Sequence, residues 1–224
     1  MANSEVNKGK IVVSIEGNIG AGKTTILNNL QHKYSTNKDI VFIREPVDLW
    51  EDFTDSNGVN VLKKFYEDPK KYAFAFQIMA FTTRARLLRQ SLLDNPHAKV
   101  FFCERSLESD KEIFAKMLHD DGMMDEIMFK IYNSSFQEYL KESDKVHLGH
   151  IFYLEVSPDE CATRIKKRAR DGEDNIDHNY LQRCHNYHND WLLNTATPVT
   201  NLNGSFDENI SKIDQCLTMC LFKE

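Results

Sequence analysis

An α/β architecture is what this sequence predicts: a doubly wound, five-stranded parallel sheet flanked by helices. Three observations carry the expectation. Five short apolar runs recur along the chain, at Ile11–Glu16, Ile40–Arg44, Val100–Cys103, Ile151–Val156 and Pro198–Leu202. Helical patterns separate them, and strands that alternate with helices pair in parallel. The runs are continuously apolar rather than alternating, as in strands covered on both faces. In such sheets ligands collect beyond the carboxyl ends of the strands, so the residues just past each run matter most.

The first run leads into Gly17-Asn18-Ile19-Gly20-Ala21-Gly22-Lys23-Thr24-Thr25, which fits G-x-x-x-x-G-K-[ST]. Glycines let the backbone curl so that successive N–H groups face an anion. Ile26, Leu27 and Leu30 then begin a helical pattern, which points a helix N-terminus at the same anion. In this arrangement Lys23 reaches the β- and γ-phosphates, and the Thr24 hydroxyl completes a Mg²⁺ shell. The plainer reading is a glycine-rich turn with a surface lysine, but the motif stands between a strand and a helix, where the mechanism needs it. A nucleoside-triphosphate site follows, in a fold of the P-loop kinase type.

The second run ends in Arg44-Glu45-Pro46-Val47-Asp48-Leu49-Trp50. Pro46 restricts Glu45 to an extended conformation and so holds its carboxylate at the strand end. Close to a γ-phosphate, that carboxylate can take the proton of an attacking hydroxyl; otherwise it is a solvated glutamate at a strand exit. Residues 55–60 read as a loop.

A long helix is expected over residues 69–94, begun at Pro69 and ended before Pro96. Ala73, Gln77, Ala80 and Arg84 share one of its faces. Small residues between a glutamine and an arginine leave a pocket with polar arms, suited to a nucleobase edge, with Phe76 available to stack. An ordinary polar stripe facing water is the alternative.

After the third run come Glu104-Arg105-Ser106 and then Asp110. Glu104 stands where a P-loop enzyme keeps the acid that holds the metal and its waters. Arg105 can neutralise phosphate or steady a carboxylate, and Asp110 can pair with Arg84. The fourth run is followed by Ser157-Pro158-Asp159-Glu160, a strong helix start, and then by Arg164, Lys167, Arg168 and Arg170. Such charge is usually a solvated face. Here it adjoins a polar segment at 169–177 downstream of the P-loop, which favours an arginine-rich lid over about 164–177 that closes on phosphates.

Bulk properties narrow the partners. At 224 residues the chain suits one domain, 1–224, with a flexible N-terminal stretch 1–9. A net charge of −6 argues against nucleic-acid binding. Five cysteines without C-x-x-C spacing fit free thiols in a reducing, cytoplasmic setting. Eight histidines form no zinc-binding pattern. No apolar run is long enough to span a membrane, and the N-terminus carries no signal or transit pattern.

Taken together, Ile15-Glu16-Gly17-Asn18-Ile19, Glu45-Pro46-Val47 with Trp50, Tyr66-Glu67 with Pro69, Phe74-Ala75-Phe76-Gln77, Glu104-Arg105-Ser106 with Ser109-Asp110, and Arg164, Arg168-Ala169-Arg170 with Glu173 resemble the deoxynucleoside kinase family. The resemblance covers nearly the whole chain. It implies that Glu45 is the base for a 5′-hydroxyl, and that Gln77 makes paired hydrogen bonds to the nucleobase. Trp50, Phe76 and Phe114 then wall the base pocket, while Tyr66 and Glu173 bind the sugar 3′-hydroxyl. Arg105 lies close to the 5′-hydroxyl and phosphoryl group, Glu104 accompanies Mg²⁺, and Arg164, Arg168 and Arg170 are lid arginines, with Arg168 at the transition state. ATP or another nucleoside triphosphate as phosphoryl donor, Mg²⁺ and a homodimer are implied as well. The Arg84–Asp110 pair resembles that of deoxycytidine and deoxyguanosine kinases, so deoxycytidine or purine deoxynucleosides are expected over thymidine. Two competing readings are a nucleoside monophosphate kinase and a nucleotide-binding switch that transfers nothing. The chain departs from the family at Asn175-Ile176-Asp177 and in a shortened Leu202–Asp207 segment, where the adenine-contacting loop is expected.

Overall fold

The computed structural model describes residues 9–142, 146–170, 172–173 and 176–222. Residues 1–8 of the stretch expected to be flexible lie outside these, as do Asp171, Asp174 and Asn175 of the expected lid.

Five strands form one parallel sheet in the order β2-β3-β1-β4-β5. They are β1 (Ile11–Glu16), β2 (Ile40–Ile43), β3 (Val100–Glu104), β4 (Leu148–Leu154) and β5 (Val199–Leu202). The helices are α1 (Lys23–Lys33), α2 (Val47–Glu51), α3 (Val61–Glu67), α4 (Pro69–Asp94), α5 (Leu107–Ser109), α6 (Lys116–Asp120), α7 (Glu126–Glu142), α8 (Pro158–Arg168), α9 (His178–Asn194) and α10 (Phe206–Phe222). A π-helical segment, Asp110–Ala115, joins α5 to α6.

The apolar runs are continuous because each strand feeds two cores. Val13 and Ile15 of β1, Val100 and Phe102 of β3, and Phe152 and Leu154 of β4 pack with Leu27, Ile165 and Ile213 on one face. Their neighbours Val12, Phe101, Cys103 and Ile151 pack with Leu92 on the other. Each buried large side chain of this kind contributes about 1.5–3 kcal/mol, and alternate residues contribute to opposite sides. A third, aromatic core holds Trp50, Phe65, Phe76, Phe81, Tyr132 and Phe136 beside α4.

Helix α4 begins and ends as the sequence predicts. Asp68 caps it by accepting a hydrogen bond from the Lys71 N–H at 3.2 Å, and Pro69 occupies its first turn. Strand β4 begins three residues earlier than expected and stops at Leu154. Gly149 and His150 interrupt the apolar run there, yet a register irregularity between Val12 and Val13 lets both join the ladder. A Cβ on Gly149 would stand 2.4 Å from the Ile11 side chain, so the glycine allows the strands to meet. The expected loop at residues 55–60 is a turn closed by a Thr54–Asn60 bridge, with the Asp55 carboxylate accepting from Asn57 N–H at 2.9 Å.

Candidate active site

The turn after β1 needs its glycines. Gly17 has φ 149°, and a Cβ there would lie 2.7 Å from the Leu154 carbonyl. Gly22 caps α1 with φ 104°, and no side chain caps the first turn of the helix. This turn forms one wall of a cavity of about 910 Å³. Residues just past all five strands contribute: Lys23 and Thr24, Glu45, Glu104 and Arg105, Glu155 and Val156, and Asn203. That is where a parallel sheet places its ligands.

Lys23 is buried, and its ammonium donates to the Gly17 carbonyl at 3.1 Å and the Asn18 carbonyl at 2.9 Å. Burial and the nearby Arg105 lower its pKa to about 8, against the pull of Glu45, Glu104 and Glu16. The Thr24 hydroxyl donates to Glu104 Oε1 at 2.5 Å. A hydroxyl and a carboxylate side by side form a hard oxygen donor set, which fits Mg²⁺. Among the described residues no cluster of three or more His, Cys, Asp or Glu could hold an ion alone. Mg²⁺ at P-loop sites is held in just this way, with few protein ligands and the remainder from phosphate and water.

Glu45 is the centre of the charge network. Its Oε1 accepts hydrogen bonds from Arg84 Nη2 and lies 3.3 Å from Arg105 Nε. Burial works to raise the carboxyl pKa, but Arg84, Arg105 and Lys23 outweigh it and hold the group down at about 2. Arg84 spends its other arm on Asp110, completing the pairing expected from the sequence. Its guanidinium also sits 5.1 Å from the Trp50 ring centroid. Burial pushes the Asp110 carboxyl up to about 6 although Arg84 pulls it down.

The rest of the cavity is an aromatic slot with unanswered polar groups. Phe76 stacks on Phe65 at 4.6 Å and meets Trp50 edge-on at 5.6 Å, while Trp50 donates its indole N–H to Thr83 at 2.9 Å. Phe114 closes the slot with Arg105 over its ring at 4.7 Å. Gln77 Oε1, Asp110 Oδ2 and Arg84 Nε are all buried without a protein partner. Buried polar atoms are nearly always satisfied, so three orphans on residues that line one cavity mark a place for a polar ligand.

Toward α9, Glu173 is buried and accepts from Arg168 Nε at 3.2 Å and Arg170 Nη1 at 3.2 Å. Burial and the Glu173 charge push the Tyr66 hydroxyl pKa well up, so it stays neutral. Arg164 donates to the Ala21 carbonyl at 2.6 Å and pairs with Glu160.

Nearly every residue singled out from the sequence lines this one cavity. Gly17, Asn18, Lys167 and Ala73, which is buried in the core instead, are exceptions. The Asn18 amide is turned away, donating to the Leu181 carbonyl at 2.8 Å while its Oδ1 accepts from Ile19 N–H. The side chain thereby ties the turn to α9. The lid arginines reach the cavity, but Arg168 and Arg170 do so bonded to Glu173, not as free cations, and Lys167 of the same helix face is not among the lining residues. Tyr180, Phe206 and Asn209 line the cavity without having been foreseen. Tyr180 comes from α9, far along the chain, and no motif announces it. Phe206 lies within the shortened segment after β5 and Asn209 just beyond it, where only the location was legible.

A family model described as deoxynucleoside kinase matches residues 13–218. The chain belongs to the deoxynucleoside kinase family. Individual relatives agree with the family assignment. The probable deoxycytidine kinase of Fowlpox virus (strain NVSL) is 36% identical over 200 residues, covering 87% of this chain and 79% of the relative. The deoxycytidine kinase of Mus musculus is 36% identical over 217 residues, 87% of this chain and 78% of its own length. The mitochondrial deoxyguanosine kinase of Xenopus laevis is 30% identical over 204 residues, 84% and 75% respectively. Like other deoxynucleoside kinases the chain has a parallel sheet with a P-loop at its centre, and a nucleotide phosphate donor follows from the family. Among the described residues no helix is long and apolar enough to cross a membrane.

Proposed function

We propose that this deoxynucleoside kinase transfers the γ-phosphoryl group of ATP to the 5′-hydroxyl of a deoxynucleoside, giving the 5′-monophosphate for DNA-precursor salvage. The observation that carries this reading is the placement of Gln77, Arg84 and Asp110, each with an unpartnered buried atom, in the cavity that also holds Lys23 and Glu45. Residues 1–224 are read as a single kinase domain, since one cavity draws on all five strand ends.

In the reading that follows, the base lies between Phe76, Trp50 and Phe114 with its polar edge on Gln77 and Asp110. Tyr66 and Glu173 hold the sugar hydroxyl. Glu45 orients the 5′-hydroxyl and takes its proton, while Arg105 sits over the same oxygen. The turn from Gly17 to Thr25, Lys23, Arg164, Arg168 and Arg170 holds the triphosphate. Thr24 and Glu104 would hold Mg²⁺, which neutralises charge on the phosphate oxygens when bound. Phosphoryl transfer has a loose transition state, so positioning and charge stabilisation supply most of the rate. An acceptor that already carried a phosphate would face repulsion from Glu45, which disfavours a monophosphate kinase.

Base preference rests on Arg84 and Asp110. Their paired charges present a donor and an acceptor that suit cytosine or a purine, and crowd a thymine methyl. The small Ala80 leaves room at the pocket floor. Initial rates for the four deoxynucleosides should favour deoxycytidine or a purine deoxynucleoside; a thymidine preference would contradict this assignment.

Helices α4 and α7 expose Leu93 (56%), Ile127 (70%), Ile131 (47%) and Leu140 (40%). We read this apolar face as the contact of a homodimer. Light scattering should give twice the chain mass, and the mass of one chain would reject the pairing. Cys103, Cys161 and Cys184 are buried free thiols, in keeping with the reducing cytoplasmic setting we propose.

A further inference from the structure

Arg105 is held from two sides by buried groups that do not line the cavity. Its backbone adopts φ 64°, a left-handed conformation that a side-chain-bearing residue takes only when its surroundings impose it. Two hydrogen bonds to the end of β1 do the imposing. The Arg105 N–H donates to the Ile15 carbonyl at 3.1 Å, and the next N–H, of Ser106, donates to Glu16 Oε1 at 2.7 Å. Glu16 is fully buried and its other oxygen has no protein partner. The peptide that launches the phosphate-binding turn is therefore stapled to the peptide that aims the arginine.

The guanidinium is fixed separately. His188 Nδ1 lies 2.6 Å from the Cys184 carbonyl, so that nitrogen carries the proton. The lone pair of Nε2 is left to accept from Arg105 Nη1 at 3.5 Å. The imidazole stands edge-on to Phe114 at 6.2 Å and stacks on Tyr153 at 5.9 Å, which locks its plane. Burial and the Arg105 charge hold His188 neutral, and only the neutral ring can accept this bond.

We propose that Glu16 and His188 are positioning residues that set Arg105 against Glu45 and the transferred phosphoryl group. The proposal rests on the reading of Arg105 given above. Loss of the Glu16 acceptor leaves the Ser106 N–H unpaired and frees the turn to relax. Loss of the His188 acceptor leaves one guanidinium arm unsupported, and either change moves the arginine off Glu45 Oε1.

The test is a double-mutant cycle measured as steady-state turnover of deoxycytidine with ATP. Glu16→Ala and His188→Phe should each lower kcat by ~10–10²-fold, the range for a misplaced group, with a smaller change in KM for deoxycytidine. Glu16→Gln keeps an acceptor for Ser106 and should recover most of the loss. In an Arg105→Ala background either substitution should add no more than about twofold, because groups acting through one side chain are not additive. Multiplying losses in that background, or a Glu16→Gln as slow as Glu16→Ala, overturns the proposal. If Glu16→Ala does not fold, the His188→Phe cycle decides alone. Full kcat in Arg105→Ala would instead remove Arg105 from the mechanism, and the positioning claim with it.

Discussion

Glu45→Gln should lower kcat by ~10²–10⁴-fold, the usual worth of general-base assistance, while KM for the deoxynucleoside changes little. The amide keeps the shape and one acceptor for Arg84, so loss of folding is not the expected cause. Glu45 is held at about 2 by its arginines, so it is fully ionised at neutral pH. So acidic a carboxylate is a weak base toward a free alcohol. In the proposed mechanism its contribution is to point the hydroxyl in line and receive the proton late, once a loose transition state has made that proton acidic. Single-turnover kinetics separate this step from product release, and near-normal turnover in the variant would take Glu45 out of the mechanism.

Lys23→Ala should cost at least ~10²–10³-fold in turnover, the range for removing one group that stabilises charge at a reacting centre. The same side chain sets a pH dependence. Its pKa of about 8 in the free protein means that the cation is lost as pH rises through that value. kcat/KM for the triphosphate should therefore fall on the alkaline side with a midpoint near 8. A bound triphosphate favours the ammonium, so the limb in kcat itself should lie higher. Coincident limbs, or a flat kcat/KM profile to pH 10, would detach Lys23 from triphosphate binding.

Much of this site was legible in the sequence because its chemistry sits at strand ends. The strand-to-helix setting of Gly17 to Thr25 marked the end of the cavity proposed for phosphate, Pro46 marked Glu45, and spacing along α4 put Gln77 and Arg84 on one face. The Arg84–Asp110 pair was also foreseen. What escaped depends on contacts between distant segments. Asn18 belongs to the motif, yet its amide serves Leu181, 163 positions away. Glu16 reads as the polar end of an apolar run, and His188 and Tyr180 lie on a helix with no motif. Gly149 and His150 concealed the start of β4 because their tolerance depends on Ile11 across the sheet. The engagement of Arg168 and Arg170 by Glu173 was out of reach for a related reason: spacing shows which charges are near, not which pair.

The most direct test follows the phosphoryl group itself. Incubating the protein with deoxycytidine, Mg²⁺ and ATP labelled at the γ-position should place the label on the 5′-oxygen, as deoxycytidine monophosphate formed one for one with ADP. Label released only as inorganic phosphate, or transferred only when deoxycytidine monophosphate replaces the nucleoside, would contradict the account.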